Sequence, residues 1–473
     1  MSPVVSAAHA DLLALARTGP VHFMGIGGAG MCALAELVLR QGGRVSGCDL
    51  KTSESARRLA SLGARVDVGH SAAHVEDAVA VVITSAVPAD HPELARARAR
   101  GIPVLKRAVA LGALVNRGRL VAISGTHGKT TTTAMATEVL AAAGLDPIGL
   151  VGGTVAGWES NLRFGNGDLF VVEADEYDRS FHTLTPDVAI VTNVEADHLD
   201  VYGDLAGVEQ GFRDFLANVR AGGRIAVCAD DSGASRLLAG LPGGYSYGLS
   251  SGSQLRAVDV ATKADGTSCR IIEDGDEAGS LRVAMPGLHN LRNALGAAAA
   301  ARHLGVEWGA IERGLAAYRG VGRRFDRLGE AAGVAIIDDY AHHPTEIRAT
   351  LQAVRAIHPD RRLVAVFQPH LYSRTRDFHR EFGAALAGAD VVWVTDVFPA
   401  REQPIPGITG ALVADGTRDA GGPVVHYQAD FGGLTAALAP TLQSGDVLVT
   451  MGAGSIEETG AAVLELMRGR TGA

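Results

Sequence analysis

The stretch LVAISGTHGKTT, residues 120–131, places a glycine-containing loop directly after a short apolar strand. Backbone N–H groups in such a loop cradle phosphates, Lys129 neutralises the terminal phosphate oxygens, and the Thr130 hydroxyl suits Mg²⁺. Ile123 stands where the usual phosphate loop has its first glycine, so this loop is a variant. A plain glycine turn explains Gly-Lys-Thr-Thr at a strand–helix junction poorly. The pattern predicts ATP binding through Gly125, Thr126, His127, Gly128, Lys129, Thr130 and Thr131.

Carboxylates follow the next apolar strands, where an α/β sheet places the groups that bind ligands. The run Leu169–Val172 leads into Glu173, and the run Val188–Thr192 is followed by His198. Because Mg²⁺ prefers oxygen, Glu173 is the natural metal ligand and His198 a less usual one. A solvated, charged loop is predicted for the remaining acids of interest, Glu176, Asp178 and Asp200.

A second glycine loop, GIGGAG at residues 25–30, also follows a predicted strand and precedes a predicted helix. Glycines at 25, 27, 28 and 30 permit a tight turn and the close approach of a diphosphate to the helix N-terminus. Asp49, at the end of the next strand, is placed to accept hydrogen bonds from a ribose. The alternative is a turn that binds nothing. The motif leaves open which nucleotide docks here, a nicotinamide dinucleotide included.

Two further groups of polar residues have a structural explanation beside the functional one. The first opens a predicted helix, where an asparagine either caps the helix or reads a purine edge: His289, Asn290 and Asn293. The second lies around and after the last predicted domain boundary: Arg324, Asp339, Tyr340, His342, Arg374 and Arg376. Polar and basic residues at strand ends favour a site for an anionic, phosphorylated partner, although each arginine alone is more often a surface residue.

The 473-residue chain is 47% hydrophobic and 20% charged, with a net charge of −9. This composition excludes disorder along most of the chain, and the negative charge argues against nucleic acid as the main partner. The four cysteines form no C-x-x-C pair, which predicts reduced, buried thiols. The N-terminal segment lacks the basic start of a secretion signal, and no apolar stretch is long enough to span a bilayer. We therefore expect a soluble, cytoplasmic protein with no membrane span.

Apolar, β-rich runs alternate with helical segments nearly throughout the sequence, which is typical of α/β domains with parallel sheets. We predict three domains, covering residues 1–112, 113–321 and 322–473. The second domain is predicted to carry a small antiparallel addition between Gln254 and Val283, where the strands turn polar and glycine-punctuated.

Eight strings occur in the order found in the Mur ligase family: HFMGIGGAGM, GTHGKTTTT, VVEADEYDRSF, TNVEADHLDVYGD, GLHNLRNALGA, GVGRRFD, DDYAHHPTE and QPHLYSRT. The chain resembles this family from about His22 to Gly454. The resemblance implies a Rossmann-like N-terminal domain for a UDP-sugar and a central ATPase domain. It also implies a C-terminal, Rossmann-like domain that closes over ATP and binds an amino acid.

The resemblance further implies a role for each candidate residue. The UDP-sugar would be held by Gly25, Gly27, Gly28, Gly30 and Asp49. The metal would be bound by Thr130, Glu173 and His198. Beyond the phosphate loop, ATP would be contacted by His289, Asn290, Asn293, Arg324 and Asp339. The incoming amino acid would be handled by Tyr340, His342, Arg374 and Arg376. The catalytic set would be Lys129, Glu173, His198, Arg324 and His342.

The most similar branch of the family joins L-alanine to the lactyl carboxylate of UDP-N-acetylmuramate in peptidoglycan precursor synthesis. The resemblance thus implies ATP, Mg²⁺, UDP-N-acetylmuramate and L-alanine as ligands, an acyl-phosphate intermediate, and a monomer or homodimer. Ala341, where glycine is common, and Leu371, where arginine is often found, depart from the family pattern near the amino-acid site. The alternatives are a sister ligase for a recycled tripeptide, a nicotinamide-dependent oxidoreductase, and a phosphate-loop motor or switch.

Overall fold

The computed structural model describes residues 11–400 and 402–471, and the chain divides into two compact units. The first unit extends to Asp259 and adds Cys269–Leu281 and Arg292–Arg319. The second unit comprises Val260–Ser268, Arg282–Leu291 and the chain from Gly320 onwards. The N-terminal segment was predicted to lack a secretion signal, and the first ten residues of that segment lie outside the described part of the chain.

The N-terminal part of the first unit is a five-stranded α/β fold. Its elements are α1 (Leu12–Thr18), β1 (Pro20–Met24), α2 (Ala29–Arg40), β2 (Arg44–Asp49), α3 (Glu54–Ser61), β3 (Arg65–Val68), β4 (Ala80–Ile83), α4 (Pro92–Ala99), β5 (Val104–Lys106) and α5 (Arg107–Val115). All the strands are parallel, in the order β3-β2-β1-β4-β5. The strand order reverses at β1, so the carboxyl end of β1 is the place where such sheets bind ligands.

Helix α2 shows why the sequence folds this way locally. Met31, Leu34 and Val38 recur at helical spacing, and all three are buried against the sheet. The helix begins directly after Gly28, so the glycine turn is placed at the switch point of the sheet. The fold therefore positions the predicted diphosphate loop where ligands are expected.

The central α/β fold contains the phosphate loop. Its elements are β6 (Arg119–Ser124), α6 (Lys129–Ala142), β7 (Ile148–Leu150), β8 (Leu162–Arg163), β9 (Leu169–Glu173), β10 (Val188–Val191), α7 (Leu199–Tyr202), α8 (Leu205–Leu216), β11 (Arg224–Cys228), α9 (Ser232–Leu238), β12 (Tyr245–Gly248), β13 (Leu255–Lys263), β14 (Gly266–Glu273), β15 (Asp276–Val283), α10 (Leu288–His303) and α11 (Trp308–Ala317). The strand order is β15-β14-β13-β12-β11-β10-β6-β9-β7-β8. Strand β6 lies between β9 and β10, which places the phosphate loop at the switch point of this sheet.

The polar strands β13, β14 and β15 correspond to the predicted addition. Two-residue links join them, and only antiparallel neighbours can be connected so tightly. Strands β7, β8 and β12 were not predicted from the sequence. They are two to four residues long, too short to show a period, and β7 forms by pairing Ile148–Leu150 with the buried strand β9.

The C-terminal fold is a third α/β sheet. Its elements are β16 (Asp326–Ala331), β17 (Val334–Asp339), α12 (Pro344–Ile357), β18 (Arg362–Phe367), α13 (Tyr372–Leu386), β19 (Val391–Thr395), α14 (Ala411–Ala420), β20 (Val424–Gln428), α15 (Phe431–Leu438), β21 (Asp446–Met451) and α16 (Glu457–Thr471). The strand order is β16-β17-β21-β18-β19-β20, parallel except for β16, an antiparallel edge strand that the sequence did not predict. Short 3₁₀ helices cover Ala72–Val75, Tyr177–Thr183 and Ala439–Thr441. Within the described ranges, every helix is too short or too polar to cross a membrane.

Candidate active site

The phosphate loop between β6 and α6 requires glycine at two positions. Gly125 has φ of +135° and Gly128 has φ of +82°, backbone conformations that residues with a side chain rarely adopt. A Cβ at Gly125 would overlap the Thr192 hydroxyl, and a Cβ at Gly128 would lie 2.4 Å from the Asn293 side-chain oxygen. The loop is therefore shaped by the absence of side chains at these two positions.

The end of strand β10 holds the phosphate loop in place. The backbone N–H of Thr126 donates to the carbonyl of Asn193 at 3.1 Å, and that of His127 donates to the Asn193 side-chain oxygen at 2.7 Å. The Thr192 hydroxyl donates to the His127 carbonyl at 2.6 Å. Because these bonds join two adjacent parallel strands, the loop conformation is fixed before any ligand arrives.

Lys129, the first residue of α6, lies over a buried carboxylate. Its Nζ is 2.8 and 3.0 Å from the two carboxylate oxygens of Glu176, and it also donates to the Gly125 carbonyl at 2.6 Å. The side chains of Lys129 and Glu176 are only 15% and 3% exposed. The ammonium is thus held at the mouth of the glycine loop by an ion pair.

The prediction of a solvated loop is wrong for Glu176. The chain after β9 enters the 3₁₀ turn Tyr177–Thr183, and the Tyr202 hydroxyl donates to the Glu176 carbonyl at 2.7 Å. This packing pulls the carboxylate inward, where Lys129 compensates its charge. The prediction is confirmed for Asp200, which is exposed, while Asp178 is partly exposed and paired with Lys106.

Burial and charge determine how this pair ionises. Burial raises the pKa of Glu176 to about 7, although the attraction of Lys129 opposes the rise. For Lys129, burial disfavours the charged form, but the carboxylates of Glu176, Asp175 and Glu173 outweigh it and raise its pKa. Lys129 therefore stays cationic at neutral pH, as a phosphate-binding lysine must.

The two predicted metal ligands that follow strands lie near this pair. Glu173, at the end of β9, accepts a hydrogen bond from the backbone N–H of Gly152. His198, after β10, has its Nε2 3.8 Å from a Glu176 oxygen, and its ring lies 5.0 Å from that of Tyr177. Thr130 is nine-tenths buried at the start of α6. The phosphate-loop lysine thus has two oxygen donors, Thr130 and Glu173, and one imidazole, His198, nearby. Mg²⁺ prefers the two oxygen donors, and the imidazole is a less usual ligand.

A cavity of about 350 Å³ joins the first glycine loop to the carboxylate of Glu173. One wall is the start of α2, from Gly28 to Leu34, and the other includes Leu150, Gly152 and Asp175. An elongated ligand with a diphosphate at one end and an acid at the other matches these two ends. Both ends belong to the same compact unit of the molecule.

Asp49 stabilises the first glycine loop itself. Its Oδ2 accepts a hydrogen bond from the backbone N–H of Gly27 at 2.9 Å. The preceding residue contributes as well, because the Cys48 carbonyl accepts from the N–H of Gly25 at 2.8 Å. The carboxylate predicted to contact a ribose therefore also braces the turn.

Arg107 is a site residue that the sequence reasoning missed. A Cβ at Gly30 would lie 2.9 Å from the Arg107 Nη1, so the guanidinium crosses the start of α2 where glycine leaves room. Arg107 lines the cavity, and its Nη2 is 3.7 Å from an Asp175 oxygen. The signal that could have found it is the pair Lys106-Arg107 at the end of a strand, close to the predicted domain boundary at residue 112.

In the second unit, Asp339 ends strand β17 and is buried. It accepts hydrogen bonds from the backbone N–H groups of Phe325 at 2.7 Å and Ala341 at 2.8 Å. Burial raises its pKa to about 6, against the attraction of the Arg324 guanidinium. Arg324 itself lies 4.9 Å from the centre of the Tyr340 ring, so the three predicted residues form one cluster.

The candidates for amino-acid binding extend from this cluster. The His342 Nδ1 is 2.9 Å from the Tyr340 carbonyl oxygen, and the His342 ring lies 6.0 Å from the ring of His370. A buried Arg374 follows, with Nη1 3.4 Å from the His370 Nδ1. Arg376, in contrast, is half exposed and its guanidinium pairs with Asp377 at 2.7 Å.

The asparagines of helix α10 occupy different surroundings. The Asn290 amide donates to the Pro286 carbonyl at 2.9 Å, which favours a structural role at the helix start. Asn293 lies against Gly128 of the phosphate loop. His289 is partly buried. Asn293 therefore contacts the phosphate loop directly.

Three family models match consecutive parts of the chain. They describe the Mur ligase family catalytic domain at residues 20–119, the Mur ligase middle domain at 123–301, and the Mur ligase glutamate ligase domain at 323–454. The chain belongs to the Mur ligase family. The expected three-part α/β architecture of a Mur ligase is thereby confirmed.

Curated relatives extend this similarity over nearly the whole Mur ligase chain. A UDP-N-acetylmuramate–L-alanine ligase of Solidesulfovibrio magneticus is 44% identical over 95% of this chain and 98% of its own length. A ligase of the same name from Streptomyces avermitilis is also 44% identical, over 94% of this chain and 96% of its own.

Solved structures agree with the sequence relatives. The UDP-N-acetylmuramate–alanine ligase of Thermotoga maritima superposes with a TM-score of 0.81 at 29% identity, covering 96% of this chain and 100% of that one. A murein peptide ligase of Psychrobacter arcticus has a TM-score of 0.69 at 25% identity, over 95% and 99% of the two chains. Family membership sets aside a nicotinamide-dependent oxidoreductase and a motor or switch as explanations of the glycine loops.

Proposed function

We propose that this Mur ligase joins L-alanine to the lactyl carboxylate of UDP-N-acetylmuramate, with ATP converted to ADP and phosphate. The observation that carries the proposal is the cavity that runs from the first glycine loop to Glu173, close to the buried Lys129. The name shared by the relatives at 42–45% identity supports the same activity. The product belongs to peptidoglycan precursor synthesis, which takes place in the cytoplasm.

The chemistry requires the sugar-linked acid to be activated, because a carboxylate has no viable leaving group for attack by an amine. The carboxylate oxygen attacks the γ-phosphorus of ATP and the bond to the β-phosphate oxygen breaks, which gives an acyl phosphate and ADP. The alanine nitrogen then attacks the acyl carbon, a tetrahedral intermediate forms, and inorganic phosphate leaves.

Two anions meet in the first step, so cationic groups have to lie between them. Lys129 provides one, and the ion pair with Glu176 keeps its ammonium at the loop until phosphate oxygens replace the carboxylate. Arg107 provides another, at the end of the cavity nearest the first glycine loop. We assign a third charge to Arg324, which belongs to the second compact unit.

We propose that Mg²⁺ is held by Thr130, Glu173 and His198. The ion would neutralise charge on the phosphate oxygens during transfer. In the Glu173→Gln variant, we expect the Mg²⁺ concentration for half-maximal activity to rise about tenfold. Even substitutions of groups that only support a metal ligand typically weaken metal binding by about 10- to 100-fold. Asp200→Asn, at an exposed acid after the same strand as His198, is the control and should leave the Mg²⁺ titration unchanged.

The experiment that tests the function is a product analysis. Purified protein is incubated with UDP-N-acetylmuramate, ATP, Mg²⁺ and an equimolar mixture of amino acids, and the nucleotide products are identified by mass spectrometry. We expect the L-alanine adduct to dominate, with smaller amounts of the serine and glycine adducts, because a small apolar pocket rejects an added hydroxyl only weakly. Phosphate release without any adduct would contradict the proposal.

The sister ligase for a recycled tripeptide is tested in the same assay. Replacing the amino acids with L-alanyl-γ-D-glutamyl-meso-diaminopimelate should give no adduct if the chain is the alanine enzyme. The better superposition on the Thermotoga alanine ligase than on the Psychrobacter peptide ligase supports this order of preference.

A further inference from the structure

Six side chains that can bind a metal lie close together in the N-terminal α/β fold, which does not contain the phosphate loop: His22, Cys48, His70, His74, His91 and Glu93. They come from β1, β2, the loop after β3, the following 3₁₀ helix and the start of α4. Because they are up to 71 positions apart in the sequence, only the folded chain brings them together.

Glu93 is the centre of this cluster and is completely buried. One of its oxygens accepts the backbone N–H of Ser71 at 2.8 Å and lies 2.9 Å from the His74 Nδ1. The other oxygen is 3.2 Å from the Cys48 Sγ. Burial opposes the charge on Glu93, but interactions with His22, the Ser71 N–H and Cys48 outweigh it and lower its pKa to about 2. Glu93 is therefore an anion at the centre of the cluster, and a carboxylate oxygen is one of the ligands that zinc accepts.

His22 points a nitrogen without a hydrogen-bond partner into the cluster. The residue is fully buried, and its Nδ1 is 3.0 Å from the Ser46 hydroxyl oxygen. Its Nε2 has no hydrogen-bond partner among the described residues and lies 3.9 Å from a Glu93 oxygen. When Nδ1 carries the proton and donates to Ser46, Nε2 is left with a free electron pair directed at the cluster. In that tautomer the buried His22 Nε2 is available as a ligand to an ion bound beside Glu93.

The spacing of the ligand atoms suits a tetrahedral ion. The Cys48 Sγ is 3.3 Å from the His70 Nδ1, and the His70 Nδ1 is 3.5 Å from a Glu93 oxygen. Zinc bonds of about 2.0–2.3 Å place neighbouring ligand atoms roughly 3.3–3.7 Å apart in a tetrahedron. The Cys48, His70 and Glu93 atoms already have this separation. His22 offers a ring nitrogen within 4.8 Å of the ligand atoms of Cys48 and Glu93.

We propose that this domain binds one thiophilic divalent cation of the Zn²⁺ class through His22, Cys48, His70 and Glu93. His74 keeps its hydrogen bond to Glu93 and orients the carboxylate, and His91 packs edge-on against the His70 ring at 4.7 Å. The donor set excludes Mg²⁺, because that ion prefers oxygen and takes no thiolate. This site is therefore separate from the magnesium site of the ligase reaction.

A bound divalent cation would compensate the negative charges of Cys48 and Glu93. Burial raises the pKa of the Cys48 thiol, and an adjacent divalent cation would oppose this rise. A bound cation would coordinate Cys48 as the thiolate, and the thiol proton would be released to solvent. The negative charges of Cys48 and Glu93 would then balance the two positive charges of the ion. The resulting site is neutral and has four protein ligands, as structural zinc sites do.

The site bears on substrate binding through the backbone of Cys48. Its carbonyl accepts the N–H groups of Gly25 at 2.8 Å and Ile26 at 3.1 Å, and the next residue, Asp49, accepts the N–H of Gly27. A metal at the Cys48 thiolate therefore braces the first glycine loop from behind. We infer a structural ion whose removal loosens this loop without touching the phosphate loop of the central fold.

The experiment uses the full chain, purified in reducing buffer with excess Mg²⁺ and dialysed against a chelator. Zn²⁺ binding is measured by calorimetry, and Co²⁺ is added in parallel to read its absorption spectrum. We expect one equivalent of Zn²⁺, a rise in melting temperature, and a Co²⁺ spectrum with thiolate-to-metal charge transfer. Uptake of no stoichiometric Zn²⁺, or a Co²⁺ spectrum without a thiolate band, would overturn the proposal.

Matched variants locate the ion. Cys48→Ser should abolish the charge-transfer band, whereas Cys228→Ser, at another buried free cysteine in the central fold, should retain it. His70→Asn is the safer variant for folding because the His70 side chain is 25% exposed, and it should weaken Zn²⁺ binding at least tenfold. Unchanged affinity in both Cys48→Ser and His70→Asn would refute this location. None of these readouts depends on ligase activity, so their failure leaves the proposed function untouched.

Discussion

The molecule contains two glycine turns of the same architecture with different chemistry. The turn at residues 25–30 and the loop at residues 125–128 each follow the parallel strand at the switch point of an α/β sheet and lead into a helix. Around the first turn, Asp49 accepts a backbone N–H and the adjoining cavity wall is largely apolar. Around the second, Lys129 is paired with a buried glutamate and further carboxylates lie nearby.

This difference separates binding from catalysis. A glycine turn at a switch point supplies N–H groups for an anion in either domain, and that property is common to many nucleotide-binding sheets. The second turn differs in that its lysine, Lys129, is the first residue of the following helix and is paired with the buried Glu176. We therefore expect changes at the first turn to alter the affinity for the sugar nucleotide and changes at the second to alter turnover.

The largest effect is expected for Lys129→Ala. Removing the ammonium should lower kcat by about 10³-fold, since a single donor at a developing charge is worth 10²–10³ and this one carries a full charge. Lys106→Ala is the control, because Lys106 is 59% exposed and pairs with Asp178 outside the loop. Steady-state kinetics at saturating substrates measures both. Near-normal turnover by Lys129→Ala would remove the distinction between the two turns.

Gly128→Ala comes next and tests the shape of the second turn. The new Cβ combines a strained φ of +82° with an approach of 2.4 Å to Asn293, so we expect about a 10²-fold loss of kcat/KM for ATP. Gly144→Ala is matched in backbone strain, with φ of +79°, but meets no atom within 4 Å. If both variants lose the same activity, backbone strain and not the contact with Asn293 is responsible.

The ionisation of Glu176 predicts a smaller effect, on stability. The native carboxyl has a pKa of about 7, above its unfolded value, so the folded state binds the proton more tightly and loses stability as pH rises from about 4.5 to 7. Between pH 5 and 8 this group should lower the free energy of unfolding by on the order of 2 kcal/mol. The decline should be shallower in Glu176→Gln, measured by urea unfolding without nucleotide or metal. An identical pH dependence in both proteins would show that Glu176 titrates normally.

The smallest effect is expected at the first turn. Asp49→Ala removes the acceptor for the Gly27 N–H and a ribose partner, so KM for the sugar nucleotide should rise about tenfold while kcat stays within twofold. Asp67→Ala, in the neighbouring strand β3 and 35% exposed, is the control and should leave both constants unchanged. A fall in kcat for Asp49→Ala would mean that the first turn takes part in the chemistry.

The sequence predicted the strands and turns that position the site because these features depend on local pattern. The predicted apolar runs Leu169–Val172 and Val188–Thr192 agree within one residue with strands β9 and β10, and both glycine turns lie at the predicted strand–helix junctions. The four cysteines are buried and free, as expected. Short strands such as Leu162–Arg163 were not predicted, because two residues show no periodic pattern. This strand forms only by pairing with β7.

The burial of charged residues was the main failure of the sequence reasoning. Glu176 looked like part of a solvated acidic run, yet its side chain is only 3% exposed. Whether a charged group can be buried depends on a partner that is distant in sequence, such as Lys129 for Glu176 or the histidines around Glu93. Local composition contains no information about such partners.

By itself, then, the amino-acid sequence determined the α/β class, the order of the elements and the two glycine turns. These follow from apolar periodicity and from the conformations that glycine alone adopts readily. The tertiary structure decided that Arg107 crosses the first turn, that Glu176 holds Lys129, and that four histidines, a cysteine and a glutamate meet in one place. Such contacts arise from packing between distant segments, and their energy depends on burial, which exists only once the chain has folded.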